Sequence, residues 1–500
     1  MKKRLSLGAL VALGISLVLP GVASAQDAAE ISTLLEGKIL ELDMVWVAVA
    51  TVLVFLMQAG FMFLEIGFSR QKNVGTGVAK IFVNLGIVTI AWWAVGYGIS
   101  GFGNDFFGES GFFFHFDQAI DGVPATSDTA MLMLFGLAFC AVSLAIVWGT
   151  TLERIKFGAY VLYAAVFGAI IYPLIAHAVW GGGLLSDVSG KPVMDFAGSS
   201  VVHLTGAVGG LAALILLGSR KGKYGPDGKP RAIPGHSMPL VGLGVLILWI
   251  GWFGFNGGST FATEGSFFGE VMLNTQLAAA AGVLGATLIV YLKSKTLDVG
   301  MAGNGAIAGL VGITAPAGFV EYWAAPIIGL IAGVVVVYGV LTIEKYLDDP
   351  VGALSAHGLA GIWGTLAVGI FAAPRLVDTD GGASAGVWYG LFDGEVAMGG
   401  AVGQLAVQAL AVVLTFVVVF ALSYATFAAI KATIGLRVSE DEELAGLDIS
   451  SHGMYGYPEQ FIPQEEYPGL NVPAPHVAGT PVMPASANGP TAPEKEEVTV

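Results

Sequence analysis

Cysteine is nearly missing: Cys140 is the one thiol in 500 residues. A single thiol excludes an intrachain disulfide and a CxxC metal site, and its place inside an apolar run reads as a buried core thiol. Charge is scarce as well. Asp, Glu, Lys and Arg make up only 12% of the chain, about half the share found in soluble globular domains, so an ordinary solvated surface is excluded. No basic stripe of the kind that neutralises phosphates is present, and nucleic-acid binding has no support. HExxH and P-loop motifs are missing too. A GxSxG match at Gly382-Ala383-Ser384-Ala385-Gly386 falls in a Gly-rich loop with no strand signal, whereas a nucleophilic serine needs a strand-to-helix elbow. The sequence therefore reads as that of a non-enzyme that calls for no cofactor.

What is there is hydrophobic. Apolar residues make up 55% of the chain and glycine contributes 72 positions, the composition of membrane helices whose backbones approach closely. The net charge of -15 is concentrated in one place. From Val438 to Val500 there are eleven acidic residues against one lysine, which accounts for two thirds of the imbalance and leaves the membrane portion nearly balanced.

Lys2, Lys3 and Arg4 precede an apolar stretch from Leu5 to Val22 and then Ala23-Ser24-Ala25, the pattern of a cleavable signal peptide over residues 1–25. Eleven apolar segments follow, near 44–66, 78–100, 128–150, 157–180, 199–218, 237–257, 271–292, 300–319, 322–342, 353–373 and 398–430. Each is long enough to cross hydrocarbon as a helix. If the mature N-terminus is outside, the inward connections hold Arg70, Lys72, Arg154, Lys156, Arg220, Lys221, Lys223, Lys229, Arg231, Lys293, Lys295 and Lys345. The outward ones hold only Lys191 and Arg375. The positive-inside rule then places the acidic, Pro-rich tail, residues 437–500, in the cytoplasm, with residues 26–436 forming the membrane domain. From about Ser450 onward, Pro, Gly, Glu and Ala dominate and no regular structure is assigned.

An internal match organises these segments. Asp195 precedes His203 by eight residues at the fifth segment, and Asp349 precedes His357 by eight at the tenth, both histidines among Gly and Ala. A unit of five crossings must re-enter from the other side, so the expectation is an all-α membrane protein of eleven helices. Its five-plus-five inverted repeat would surround a central pore. Intramembrane histidines are expensive unless they face a cavity, and equivalent positions in the two halves make His203 and His357 expected neighbours. His177, a lone histidine near the outer end of the fourth segment, reads as packing. Asp195 reads both as a cap for the first turn of its helix and as an attractor of cations.

Five strings, in order, resemble the signatures of the ammonium transporter (Amt/Rh) family. They are Phe139-Cys140-Ala141 leading to Glu153-Arg154-Ile155-Lys156-Phe157, Ala176 to Gly183 around Trp180, Asp195 to His203, Trp252 to Ser259, and Asp348-Asp349-Pro350 with His357-Gly358. The resemblance covers roughly residues 44–458. It implies an outer recruitment site made by Phe139, Trp180 and Ser259, where aromatic faces and a hydroxyl receive ammonium, with Asp195 shaping it. It further implies a phenyl gate of Phe139 and Phe255 and a pore lined by His203 and His357, through which ammonia passes after ammonium is deprotonated. Methylammonium would serve as a substrate analogue. Retention of both Trp180 and Ser259 is similar to the Amt branch rather than the Rh branch. Homotrimers in a cell inner membrane, and a PII-type signalling protein on the cytoplasmic face, are further implications. The last thirty or so residues match nothing in the family. A rival reading is an ammonium sensor with little flux.

Overall fold

A membrane interior supplies no water to satisfy backbone polar groups, so apolar segments of this length close their hydrogen bonds within helices. The computed structural model describes residues 25–458 except Asp121. Its spans are α1 (Ala25–Phe68), α2 (Gln71–Ser100), α3 (Ser127–Thr150), α4 (Phe157–Trp180), α5 (Ser199–Leu217), α6 (Met238–Gly258), α7 (Glu264–Ser294), α8 (Val299–Thr314), α9 (Ala324–Ile343), α10 (Leu354–Phe371) and α11 (Met398–Thr433). Ten are long and apolar enough to cross a membrane, and α8, with 16 residues, is the short one. Among the described residues the strand content is one tiny hairpin, Ala119–Ile120 against Val123–Pro124.

The eleven segments expected from hydropathy are all present. The difference lies at the front, where α1 starts at Ala25 rather than near residue 44. Its first turns are polar but rich in Ala, Glu, Leu and Lys, residues of high helix propensity, and Lys38 pairs with Glu41 at 2.6 Å across one turn. Most of the expected signal peptide, residues 1–24, lies outside the described residues.

Helix starts are built by local chemistry. Thr126 and Thr129 form a capping box at α3, the Ser237 hydroxyl accepts from Leu240 N at α6, and Asp298 accepts from Met301 N at α8. Packing depends on glycine where helices touch. A Cβ added at Gly329 or Gly333 of α9 would run into the backbone of α7, at Ala278 and Gly282 respectively. Only a missing side chain lets two backbones come so close, and in a membrane that van der Waals contact is a main source of helix association.

The fifth and tenth helices carry the repeat. Each opens on a wide π-type turn, Ser199–Leu204 and Leu354–Leu359, and each turn contains its histidine. Ahead of each turn an aspartate caps it. Asp195 accepts from the amides of Gly198, Ser199, Ser200 and Val201, and Asp349 accepts from those of Gly352 and Leu354. The chain reaches the first cap through Gly198 at φ 116°, a left-handed conformation that favours glycine.

At the face opposite the N-terminal ends of α3 and α5, buried charges tie the connections together. Arg220 makes a two-pronged contact with Asp348 at 2.9 Å and reaches Glu153 at 3.5 Å, while Arg70 holds Glu153 at 2.7 Å. Arg154 spends its guanidinium on the carbonyls of Gly218, Leu152 and Asp348. Burial works to raise both carboxyls. Its effect is outweighed by Arg220 and Arg70, which hold Glu153 below its ordinary value, and by Arg220 and Arg154, which take Asp348 down to about 2.

The tail adds two helices that composition did not announce, α12 (Glu440–Ala445) and α13 (Leu447–His452). They lie against this same face. Asp448 accepts from the amides of Gly75 and Thr76 at 3.0 and 2.8 Å, Glu443 pairs with Arg437 at 2.6 Å, and Lys72 donates to the carbonyls of Glu443 and Leu444. Residues 459–500, the remainder of the tail, lie outside the described residues.

Candidate functional site

The C-terminal ends of α2, α4 and α6 and the start of α3 surround a vestibule of about 660 Å³. Trp180 and Ser259 both line it, and Phe139 lies at its floor with Phe135 beside it. Trp180 is fixed rather than swinging. Its indole N–H donates to the Asp195 carbonyl at 2.8 Å and its ring stands edge-on to Phe139 at 6.4 Å. It is still 37% exposed, so one face of the best cation-π surface among the side chains is open to the cavity. The Ser259 hydroxyl donates to the Phe255 carbonyl at 2.8 Å. Its oxygen is thereby left with acceptor capacity.

Asp195 is placed behind this site, not in it. Its carboxylate is 4% exposed and receives four backbone N–H groups and the Ser200 hydroxyl, the last at 2.6 Å. Such a saturated carboxylate shapes the vestibule through the α5 start and through the carbonyl that orients Trp180. His177 faces two carbonyl oxygens, those of Gly101 and Asn104, both at 2.7 Å. It knots the α2–α3 connection to α4, a packing role that fits its lone position.

Below the vestibule the Phe139 and Phe255 rings stack at 4.0 Å with 22° between planes, both nearly or fully buried. The paired histidines come next. His203 Nδ1 and His357 Nδ1 are 3.2 Å apart, in reach of one hydrogen bond, and the rings are 5.3 Å apart at 22°. Within the pair, one imidazole must donate and the other accept. His203 Nε2 is buried with no partner, in an otherwise apolar lining. On the far side of the pair is a narrow cavity of about 20 Å³ that His357 lines together with Phe61, Ile307 and Glu65.

Three residues near the site receive no role from the motifs, although Trp252 opens one of the quoted strings. Trp252 stacks on His203 at 5.1 Å and 19°, and is held by an indole hydrogen bond to Thr314 at 2.8 Å. Phe135 packs on Phe139 with centroids 4.6 Å apart. Glu65 is buried within α1. The first two were hidden among many aromatics, but a carboxylate inside an apolar segment is itself a signal of function.

Known proteins resemble this chain over most of its length. The model of the Ammonium Transporter Family matches residues 45–457. Ammonium transporter Amt2 of Archaeoglobus fulgidus is 42% identical over 468 residues, covering 92% of this chain and 97% of that protein. The ammonium transporter of Bacillus subtilis is 34% identical over 429 residues, with coverages of 84% and 99%. Among solved structures, one titled a sensor Amt protein superimposes with a TM-score of 0.75 at 33% identity, covering 83% of this chain and all of that one. Mep2 of Candida albicans gives 0.69 at 28% identity, with coverages of 80% and 87%.

Proposed function

Because the chain belongs to the ammonium transporter family, whose members are transporters rather than enzymes, we propose that it recruits ammonium in the Trp180 vestibule and conducts ammonia past the histidine pair. One observation carries the reading: an open indole face, a stacked phenyl pair and two hydrogen-bonded histidines lie in sequence along one apolar path. Moving a bare monovalent cation into such a path costs an idealised ~20 kcal/mol, relaxed in practice to several. Ammonia, being neutral, escapes that penalty. A proton left behind at the mouth therefore separates ammonium from potassium, which has no proton to lose. Trp180 and Ser259 bind the cation, Phe139 and Phe255 close the way beneath it, and His203 and His357 give ammonia hydrogen-bond partners at the driest point.

Purified protein in liposomes should take up labelled methylammonium and exclude potassium. Trp180→Leu removes the cation-π face and should raise the half-saturating concentration about fivefold, the equivalent of about 1 kcal/mol. Uptake by the variant that matched the parent at every concentration would dismiss the vestibule as a binding site.

The vestibule faces outward in this reading and the Arg220 face inward, since the connections on the latter carry most of the Lys and Arg. Reporters fused at Gly225 and Gly382 should read cytoplasmic and external, and same-side signals would reverse it. Location in a cell inner membrane, assembly as a homotrimer and binding of a PII-type protein on the inward face belong to the same proposal. A sensing role is the second reading, favoured by the sensor Amt protein among the solved neighbours. The liposome assay decides between them, because a sensor that binds without flux would leave methylammonium outside.

A further inference from the structure

Glu65 stands one helical turn from Phe61, whose ring lies 6.2 Å from that of His357, and it lines the cavity into which His357 also faces. It is 1% exposed, and neither carboxylate oxygen has a hydrogen-bond partner. Gly149 of α3 packs beside Oε1. Across from it on α2, Lys80 is fully buried and its Nζ has no hydrogen-bond partner either. Lys80 attracts Glu65 electrostatically without closing an ion pair, and Glu153 and Arg154 act on Lys80 from the α3–α4 connection. Tyr160 of α4 places its ring 5.9 Å below the Lys80 ammonium. Buried charges are expensive when unpaired, and packing alone gives no reason to keep two of them at hydrogen-bonding distance from nothing. Their position supplies a reason, because the carboxylate lies on the path of anything that leaves His357 on the side away from Trp180.

We propose that Glu65 is a proton-exchange residue at this far end of the pore, with Lys80 as its fixed countercharge. The proposal rests on the histidine-pore reading. Ammonia arriving from His357 takes the proton of the Glu65 carboxylic acid: the O–H bond breaks, its electron pair stays on oxygen, and the nitrogen lone pair forms the new N–H bond. The carboxylate so produced accepts hydrogen bonds from the ammonium, whose four N–H groups match its lone pairs. When ammonium leaves for the adjoining solution, a proton from that solution restores the acid. The sum is ammonia plus a proton giving ammonium, and transport in the other direction runs the same steps backward. Lys80 stabilises the carboxylate during the interval in which the proton is gone.

The test compares parent, Glu65→Gln, Glu65→Asp and Lys80→Met in uniformly oriented proteoliposomes. Methylammonium uptake is read while pH is varied only in the compartment next to Glu65. Glu65→Gln should lower the maximal rate on the order of ten- to a hundredfold, leave the half-saturating concentration unchanged and flatten the dependence on that compartment's pH. Glu65→Asp should keep a pH dependence with a displaced midpoint, and Lys80→Met should displace the midpoint upward. A Glu65→Gln variant with the parent's rate and pH profile overturns the proposal. So does equal loss in Gln and Asp variants with the profile unmoved, which is what a purely structural role predicts. If Glu65→Gln fails to assemble, the Asp variant decides, a displaced midpoint supporting the proposal and an unmoved one overturning it. Failure of the histidine reading shows elsewhere, as full transport by a variant lacking both histidines while the Glu65 variants still behave as stated.

Discussion

Replacing His203 and His357 together by Leu should cut transport at least tenfold while the protein still assembles. The two Nδ1 atoms are 3.2 Å apart and share one proton, so one outward-facing Nε2 is a donor and the other an acceptor. On the proposed reading, a passing ammonia finds a partner of either kind at the point where no water is at hand. A lost hydrogen bond at a desolvated site is worth about 1–3 kcal/mol, and about 1.4 kcal/mol is already a factor of ten in rate. Leucine keeps the volume roughly constant, so packing against Trp252 and Phe255 survives and the loss belongs to polarity. Reconstituted liposomes read the outcome as ammonium-driven current. A single His203→Glu variant sharpens it, since a fixed carboxylate lowers the barrier for whole cations and should admit potassium. Full current in the double variant, together with a Glu variant that still excludes potassium, would reduce the pair to a packing element.

Arg220→Ala should destabilise the protein by about 3–5 kcal/mol, the range for breaking a buried ion pair from one side. Arg220 is the residue shared by Asp348 and Glu153, and its removal strands the buried Asp348 carboxylate and leaves Glu153 to Arg70 alone. The effect depends on pH in a defined direction. In the parent, Asp348 lies near 2 instead of 3.8, so its contribution is complete above the ordinary carboxyl value and disappears as pH falls through that window. The gap between parent and variant should therefore narrow as pH drops from about 5 toward 2. Thermal unfolding in detergent measures it, and a variant as stable as the parent at neutral pH would remove this cluster as a support of the fold.

Hydropathy made the eleven crossings legible because each is a long apolar segment bounded by polar connections. Spacing made the histidine pair legible, since Asp195–His203 and Asp349–His357 repeat the same interval. The parts that stayed hidden have physical reasons. The π-type turns that aim both histidines are backbone events with no residue signature of their own. The tail helices α12 and α13 owe their order to partners distant in sequence, Asn73, Gly75 and Thr76 among them, so local composition could not announce them. Asp195 looked like a ligand and a cap with equal claim, and only three-dimensional bonding counts five hydrogen-bond donors on its carboxylate. Glu65 was visible as a charge in an apolar segment, but nothing local ties it to His357.

The stacked Phe139 and Phe255 rings have a consequence for the energy economy of a cell. Ring centroids 4.0 Å apart leave no gap for water between the two stacked faces, so in the proposed path a continuous file of water molecules is interrupted at this pair. Hydronium travels by relaying protons along such files, and an interrupted file is an insulator. A protein that opened a steady aqueous thread for its substrate would drain the proton gradient that powers the membrane around it. On the proposed reading, each passage requires the rings to part for one small molecule and close again, so the path would behave as a turnstile that lets nitrogen through without short-circuiting the membrane.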